Sequence, residues 1–242
     1  MEKILYKKTQ LQKKPKPQKS SYCSYVETLP KDNIHRVYHD TGYGFSIDND
    51  NELFERLVLE INQAGLSWDT ILRKQRNFRK AFNKFNIKKV ASYDDKERKR
   101  LLSDIGIIRN RLKIEAVIYN ANAIQKLQRE HGSFKMWLDL NYSKTKEEWI
   151  KIFKETFKFT GGEIINEFLQ STGYLLNPHD TRCPIYKKVI KSKPAWYTYS
   201  MKSIKPKRNV KALVPIQEKG DKKKEFAVKH HPDLKPKNKR AK

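Results

Sequence analysis

The sequence predicts an all-α fold, with one helical domain between two basic segments. Apolar residues recur at helical spacing in several stretches of ten or more residues, and alternating strand patterns are weak throughout. Glycine and serine stand where some of these stretches end and begin, as helix caps do. The chain has 242 residues, which is enough for one sizeable domain with tails.

Six long helices are expected. They span about residues 51–64, 68–85, 94–103, 109–129, 146–157 and 163–172. In the first, Leu53, Leu57 and Ile61 fall on one face, and Gly65 follows its end as a left-handed cap residue would. Ser67 is placed to cap the N-terminus of the second. The third has few apolar residues, the fourth is long and amphipathic, and the last two repeat the amphipathic pattern.

The two ends of the chain differ from its middle in charge. The net charge is +26, of which residues 1–22 carry +6 and residues 187–242 carry +15. We therefore expect a basic disordered arm over residues 1–22, a folded domain over residues 23–186, and a basic, largely disordered tail from residue 187. Such arms suit a polyanion partner because neutralised phosphates release counterions, although solvated lysine-rich tails explain them equally well.

Composition also bears on where the protein acts. There is no run of about 18 apolar residues for a membrane span, and the N-terminus has no apolar signal-peptide segment. Two cysteines do not make a disulfide framework. We expect an intracellular monomer in a reducing compartment, either the cytoplasm and nucleoid of a bacterium or the nucleus of a eukaryote.

A glycine turn between the third and fourth helices predicts contact with a DNA backbone. Gly106 lies in this turn, and Arg109, Arg111 and Lys113 follow it. The first N–H groups of the next helix would be free to bind phosphate, and the three cations add charge. This is a helix-hairpin-helix arrangement, which grips DNA without reading its sequence. Because Ile108 stands where the usual motif has a second glycine, a plain helix–helix turn is the alternative.

An acidic residue is expected to lie among aromatic ones. Glu60 falls at the edge of its helix's apolar face, where a carboxylate should meet a cleft or a buried partner. Trp68 follows just after the next turn, and Tyr38 and Tyr43 flank a histidine. A carboxylate ringed by aromatic side chains suits a flat cationic ligand. A core tryptophan and a salt-bridged glutamate are the alternative.

Two cysteines and two histidines form a candidate metal site. His179 and Cys183 have the H-x3-C spacing that can share a metal, whereas Cys23 and His39 are far from them in the sequence. From spacing alone, free thiols or a disulfide stay open as alternatives.

Taken together, these features resemble the 3-methyladenine DNA glycosylase I family of base excision repair. The resemblance covers about residues 23–186, and its most specific part is the run Gln-Ala-Gly-Leu-Ser-Trp. The stretches that carry it are Tyr38-His39-Asp40, Leu59-Glu60, Gln63-Ala64-Gly65-Leu66-Ser67-Trp68, Gly106-Ile107-Ile108-Arg109, Lys113-Ile114, Asn120-Ala121, Lys158-Phe159-Thr160-Gly161, and His179 with Cys183.

The resemblance implies a helix-hairpin-helix glycosylase fold and a monofunctional enzyme. Such an enzyme flips N3-methyladenine out of double-stranded DNA and hydrolyses its glycosidic bond without a lysine nucleophile. The resemblance also implies one structural zinc ion with four protein ligands and no open position. The residues that match the family's ligands are Cys23, His39, His179 and Cys183.

The resemblance further implies roles at the base and at the DNA. Glu60 and Tyr38 match residues at the edge of the alkylated adenine, and Trp68 matches one on its face. Glu60 is the catalytic candidate, and we count Tyr25 and Tyr43 as further pocket candidates. Two residues match the loop that fills the gap left by the extruded nucleotide, Gly65 and Leu66.

Some positions depart from the family pattern. Tyr25 and Tyr43 stand where the family has tryptophan, and His35 stands where a tyrosine is common. These changes leave the substrate range open, so a DNA-binding protein that is non-catalytic or altered in specificity is the alternative. A zinc-bearing interaction domain would leave Glu60 and Gly106 unexplained. Two cysteines cannot hold the four-cysteine iron–sulfur cluster of related glycosylases.

Overall fold

The computed structural model describes residues 21–204, and every regular element in that range is helical. The all-α prediction is confirmed for this part of the chain. In chain order the α-helices are α1 (Tyr22–Glu27), α2 (Ile34–Thr41), α3 (Asp50–Gln63), α4 (Trp68–Ala81), α5 (Ile87–Ala91), α6 (Asp95–Ser103), α7 (Arg111–His131), α8 (Phe134–Leu140), α9 (Lys146–Thr156), α10 (Gly162–Ser171), α11 (Tyr186–Lys191) and α12 (Ala195–Ile204). A short 3-10 helix, Asn83–Phe85, follows α4. No described helix is both long enough and apolar enough to cross a bilayer.

Helix α3 lies at the centre of the core. It packs against α4, α7, α8 and α10. The face formed by Leu53, Leu57 and Ile61 is completely buried, as the helical spacing predicted. Burying one such side chain contributes about 1.5–3 kcal/mol, so this face anchors α3 in the core. The turn that follows the C-terminal end of α3 is exposed at Gly65.

The turn between α3 and α4 has the predicted caps. Gly65 adopts a φ of +80°, a left-handed conformation that glycine reaches without strain. The Ser67 hydroxyl accepts a hydrogen bond from the Thr70 N–H at 3.2 Å and so caps α4. Since the turn is short, Glu60 near the end of α3 and Trp68 at the start of α4 lie at the same end of the helix pair.

Helices α6 and α7 form the predicted pair around a glycine turn. The Gly106 N–H donates to the Asp104 carboxylate at 2.8 Å, and Lys74 donates to the Gly106 carbonyl at 3.2 Å, which ties the turn to α4. Asn110 caps α7 by accepting from the Lys113 N–H. As in any helix, the N–H groups of the first turn of α7 have no carbonyl within the helix to bond, and the Asn110 side chain satisfies that of Lys113 only. Contact of this turn with DNA stays a prediction.

The packed region extends past residue 186, where the sequence predicted a tail to begin. Helices α11 and α12 follow that point, and Val189 and Trp196 are buried on them. These helices are short and flanked by lysines, so their apolar residues give no clear period and depend on docking. At the other end, Tyr22 of the predicted arm belongs to α1. The rest of the predicted arm and tail, residues 1–20 and 205–242, lies outside the described residues.

Candidate functional site

A cavity of about 340 Å³ lies beside the C-terminal part of α3. Helices α1, α2, α4 and α10 and the segment after α2 supply the rest of its wall. Cavities of this volume are typical of small-ligand sites. The lining residues are Tyr22, His35, Tyr38, Tyr43, Glu60, Gln63, Trp68 and Glu167.

Aromatic rings form most of this wall. The rings of Tyr38 and Trp68 lie 5.2 Å apart, and that of Tyr43 lies 5.9 Å from Tyr38. Tyr22 packs against Tyr43 at 5.4 Å. The cavity therefore offers several ring faces and edges to a flat ligand. Three of these tyrosine and tryptophan positions were predicted, but Tyr22 was assigned to the arm and missed.

Glu60 is the more deeply buried of the two acidic residues that line the cavity. It is 4% exposed, and no hydrogen bond or ion pair within residues 21–204 ends on its carboxylate. The alternative of a salt-bridged glutamate is therefore wrong. Burial raises the pKa of Glu60 to about 8; Arg56 lowers it and Glu167 raises it further. A cation or an N–H donor that enters the cavity would favour the ionised form.

Arg56 holds Tyr38 from behind the wall. Its guanidinium donates to the Tyr38 hydroxyl at 2.6 Å and to the Gly42 carbonyl at 3.3 Å. Arg56 lines a separate neighbouring cavity rather than the one that contains Glu60. Burial raises the pKa of Tyr38, so its hydroxyl keeps its proton and can still donate a hydrogen bond.

Three further lining residues were not among the predicted site residues, namely His35, Gln63 and Glu167, and one predicted residue lies elsewhere. The His35 ring lies between the Tyr22 hydroxyl, 3.2 Å from Nδ1, and Asp69, 3.6 Å from Nε2. Glu167 reaches the cavity from α10, more than a hundred residues along the chain from Glu60. Tyr25 is 46% exposed and is not among the lining residues; its ring packs against His35 from outside at 5.6 Å.

The four predicted metal ligands form one buried cluster. Their ligand atoms all lie within 4.8 Å of one another. The Cys23 Sγ lies 3.4 Å from His39 Nε2 and 3.7 Å from His179 Nδ1. The Cys183 Sγ lies 3.8 and 3.7 Å from the same two nitrogens. Both cysteines are free thiols, so the disulfide alternative is wrong.

The other nitrogens of the two histidine rings are held by the protein. His39 Nδ1 lies 2.7 Å from the Asp40 carboxylate, and His179 Nε2 donates to the Tyr43 carbonyl at 2.8 Å. These contacts turn the opposite nitrogen of each ring toward the sulfur atoms. Burial lowers the pKa of His179 and raises that of Cys23 to about 12, so His179 stays neutral and the thiolate of Cys23 requires a cation beside it. The cluster can hold one metal ion.

The predicted DNA-contact residues separate into two groups. Arg109 and Arg111 are exposed, and neither side chain has an ion pair or hydrogen bond within the described range. Gly65 is exposed, and Leu66 is 38% exposed at the α3–α4 turn. These positions are free to meet a partner.

Lys113 does not fit the prediction that it contacts phosphate. It is 5% exposed, and its ammonium donates to the carbonyls of Asn62 at 2.8 Å and Ala64 at 2.6 Å. The side chain lies on the inner face of α7, where it binds the free carbonyls at the C-terminal end of α3. The spacing of basic residues after Gly106 does not show that Lys113 faces the core whereas Arg109 and Arg111 face solvent.

Comparison with known proteins gives a consistent set of relatives. Residues 28–152 match the methyladenine glycosylase family. The chain is 33% identical over 183 residues to DNA-3-methyladenine glycosylase 1 of Escherichia coli (strain K12), which covers 68% of this chain and 96% of that protein. It is 33% identical over 170 residues to DNA-3-methyladenine glycosylase of Haemophilus influenzae, with 62% and 91% covered.

Solved structures of similar fold include 3-methyladenine DNA glycosylase I from Staphylococcus aureus, determined to explain 3-methyladenine recognition. It aligns with a TM-score of 0.62 at 28% identity over 69% of this chain and 97% of that chain. A variant of 3-methyladenine DNA glycosylase I solved in complex with 3-methyladenine aligns with a TM-score of 0.62 at 28% identity, over 68% and 97%.

Proposed function

The chain belongs to the methyladenine glycosylase family, and on that premise we propose that it flips N3-methyladenine out of double-stranded DNA and hydrolyses the bond between base and sugar. It is thus an N-glycosyl hydrolase of DNA repair. The observation that carries the proposal is the buried Glu60 carboxylate, which has no protein partner within residues 21–204 and lines an aromatic cavity. One chain supplies every lining residue, so a monomer suffices.

Recognition of the base follows from its charge and its shape. Methylation at N3 makes the attached base a flat cation. The rings of Tyr38 and Trp68 attract such a cation through their faces, an effect of about 0.5–2 kcal/mol per contact. Glu60 accepts hydrogen bonds from the N–H edge of the base, and the positive charge of the base favours its ionised form. A neutral adenine gains less from the same pocket.

The chemical step needs little from the protein. When the bond between sugar carbon C1′ and base nitrogen N9 breaks, its electron pair moves to the base, which leaves neutral. The oxygen of a water molecule bonds to C1′ and gives up a proton. Because the cationic base is already a good leaving group, the lining residues mainly extrude, orient and hold it. The lining includes no lysine, so we propose a monofunctional hydrolase without a Schiff base.

DNA binding is assigned to the α6–α7 turn and the α3–α4 turn. The first N–H groups of α7, with Arg109 and Arg111, would bind phosphates on the DNA backbone. Gly65 and Leu66 would fill the gap that the flipped nucleotide leaves. The contacts of Lys113 with the end of α3 hold the two turns close together, so its role is to position them. The lysine-rich segments at both chain ends add charge for a polyanion.

For the metal cluster we propose one structural zinc ion. A tetrahedral site with Zn–S bonds of about 2.3 Å and Zn–N bonds of about 2.0–2.1 Å requires sulfur–nitrogen separations of about 3.6 Å. The four separations between 3.4 and 3.8 Å support this fit. Zinc there would join α1 and α2 to the segment after α10, and would hold Tyr38, the neighbour of His39, in place.

The test is release of free base from methylated duplex DNA. Wild-type protein should release 3-methyladenine, and Glu60→Gln should be slower by roughly 10²-fold, the loss typical of removing one well-placed electrostatic group. Glu163→Gln, an exposed change on α10, is the matched control and should equal wild type. Wild-type protein that binds the DNA well but releases no base would contradict the proposal and favour a non-catalytic DNA-binding protein.

A further inference from the structure

The cavity contains a second acidic side chain, Glu167. It projects from α10, whose position is set by the buried side chains of Ile165 and Phe168 and by packing against α3. A hydrogen bond from Asn166 reaches one oxygen of the Glu167 carboxylate at 3.5 Å, the outer limit for such a bond. No ion pair within residues 21–204 includes Glu167, so its other oxygen is available to a ligand.

Two carboxyl groups in one cavity are unfavourable unless a cation joins them. Glu60 is nine-tenths buried or more and has no partner in the described chain, and Glu167 is partly buried in the same wall. Neither lysine nor arginine is among the lining residues. Arg56 lowers the pKa of Glu60, but its guanidinium is hydrogen-bonded to Tyr38 and Gly42 and lines the neighbouring cavity. Bringing two like charges together out of water costs free energy, which a bound cation offsets.

We propose that Glu167 is a specificity-determining residue that acts with Glu60 as a two-carboxylate site for positively charged purine bases. This inference rests on the proposed function, and it names the substrate class: purines that carry a fixed positive charge through N-alkylation. Glu60 meets the base from α3, and Glu167 meets it from α10. A neutral purine does not favour ionisation of the two acids and gains no charge interaction with them.

Burial and charge support this pairing independently of the cavity. Burial raises the pKa of Glu167, and nearby Glu163 raises it further, while Asn166 and Lys146 lower it. Glu167 in turn raises the pKa of Glu60. The Glu167 carboxylate therefore makes Glu60 harder to ionise, and a cation bound between the two groups would offset this effect. A glutamate that served only to solubilise α10 would face water, as Glu163 does.

The experiment compares a charged lesion with an uncharged one of the same shape. The charged arm is the single-turnover release of 3-methyladenine from methylated duplex DNA. The uncharged arm is the dissociation constant for duplex DNA that carries 3-methyl-3-deazaadenine, in which carbon replaces the charged ring nitrogen. Glu167→Gln should slow release by roughly 10- to 100-fold, the loss expected for one interaction with a charged group, and leave binding of the uncharged lesion within about twofold. Glu167→Asp keeps the charge and should retain the preference for the charged base.

Controls separate this inference from the proposed function and from misfolding. Glu155→Gln changes an exposed glutamate on α9 and should match wild type in both arms. Thermal melting identifies any variant that has lost its fold. If Glu167→Gln is one of these, the comparison of charged and uncharged lesions is made with Glu167→Asp. Normal release by Glu167→Gln, or equal losses for charged and uncharged lesions, would overturn the role of Glu167. Wild-type protein that releases no base would overturn the proposed function and this inference with it.

Discussion

Glu60→Gln is expected to make the free protein more stable while it slows base release. The Glu60 side chain is 4% exposed, and within residues 21–204 no hydrogen bond or ion pair stabilises its ionised form. Burial is the main reason that its pKa rises from 4.5 to about 8. Glutamine has nearly the same shape and no ionisable proton, so it removes the charge without opening a cavity.

The size of the effect follows from the proton balance. Between pH 4.5 and 8 the unfolded chain loses this proton, while the folded protein keeps it. Rising pH therefore favours the unfolded state, by about 1.4 kcal/mol per pH unit across this window. At pH 7 the free energy of unfolding is lower by about 3 kcal/mol on account of Glu60, and below pH 4 the contribution vanishes. The Glu60→Gln substitution removes this cost and should therefore raise the melting temperature by roughly 6–12 °C at pH 7.

Melting curves of wild type and Glu60→Gln from pH 4 to pH 9 measure this difference directly. Other groups titrate in both proteins, so the difference between the two melting temperatures isolates Glu60. It should be near zero at pH 4, grow through neutral pH and level off above about pH 8. Glu163→Gln should show no such pH-dependent gain. If Glu60→Gln melts at or below the wild-type temperature at pH 8, the conclusion that the Glu60 carboxylate is buried without a partner is refuted.

Three further predictions concern the rest of the molecule. Lys113→Met leaves two carbonyls of α3 without a donor, so it should lower the free energy of unfolding by about 2 kcal/mol, measured by denaturant titration; an unchanged midpoint would contradict the buried contact. Freshly purified protein should contain about one zinc equivalent, and Cys23→Ser or a strong chelator should remove the metal and lower the melting temperature. Wild-type protein that is as stable without metal as with it would contradict the zinc site. Arg109→Ala and Arg111→Ala should each weaken binding to any duplex sequence. Each should also reduce the slope of log affinity against log salt concentration by about one, and an unchanged slope would exclude that arginine as a phosphate contact.

Local patterns predicted the long helices well because those helices depend on neighbours in the sequence. The left-handed Gly65 and the Ser67 cap follow from chemistry within a few residues, and both are present. The short helices α5, α8, α11 and α12 were not predicted. Each spans ten residues or fewer, too short to show a clear helical period, and depends on packing against the rest of the domain, as the burial of Trp196 on α12 illustrates.

The candidate site was predicted in part, chiefly through the family resemblance. That resemblance named Tyr38, Glu60 and Trp68, which the fold brings to one cavity. It could not name Tyr22, which precedes the matched stretches, or Glu167, which lies between them without a motif of its own. Lys113 was predicted to contact phosphate but is buried, because a run of basic residues after a turn does not show which of them packs inward.

The amino-acid sequence by itself determined the helical class, the helix caps and the four residues that gather at the metal cluster. The helices and their caps depend on local backbone preferences, and the four metal-cluster residues were identified by their order within the family's sequence pattern. Only the tertiary structure decided that the Glu60 carboxylate has no partner in the described chain, that Glu167 shares its cavity, and that Lys113 joins α7 to the end of α3. Contacts of this kind join segments tens to more than a hundred residues apart, and packing rather than local sequence sets their distances and their electrostatics.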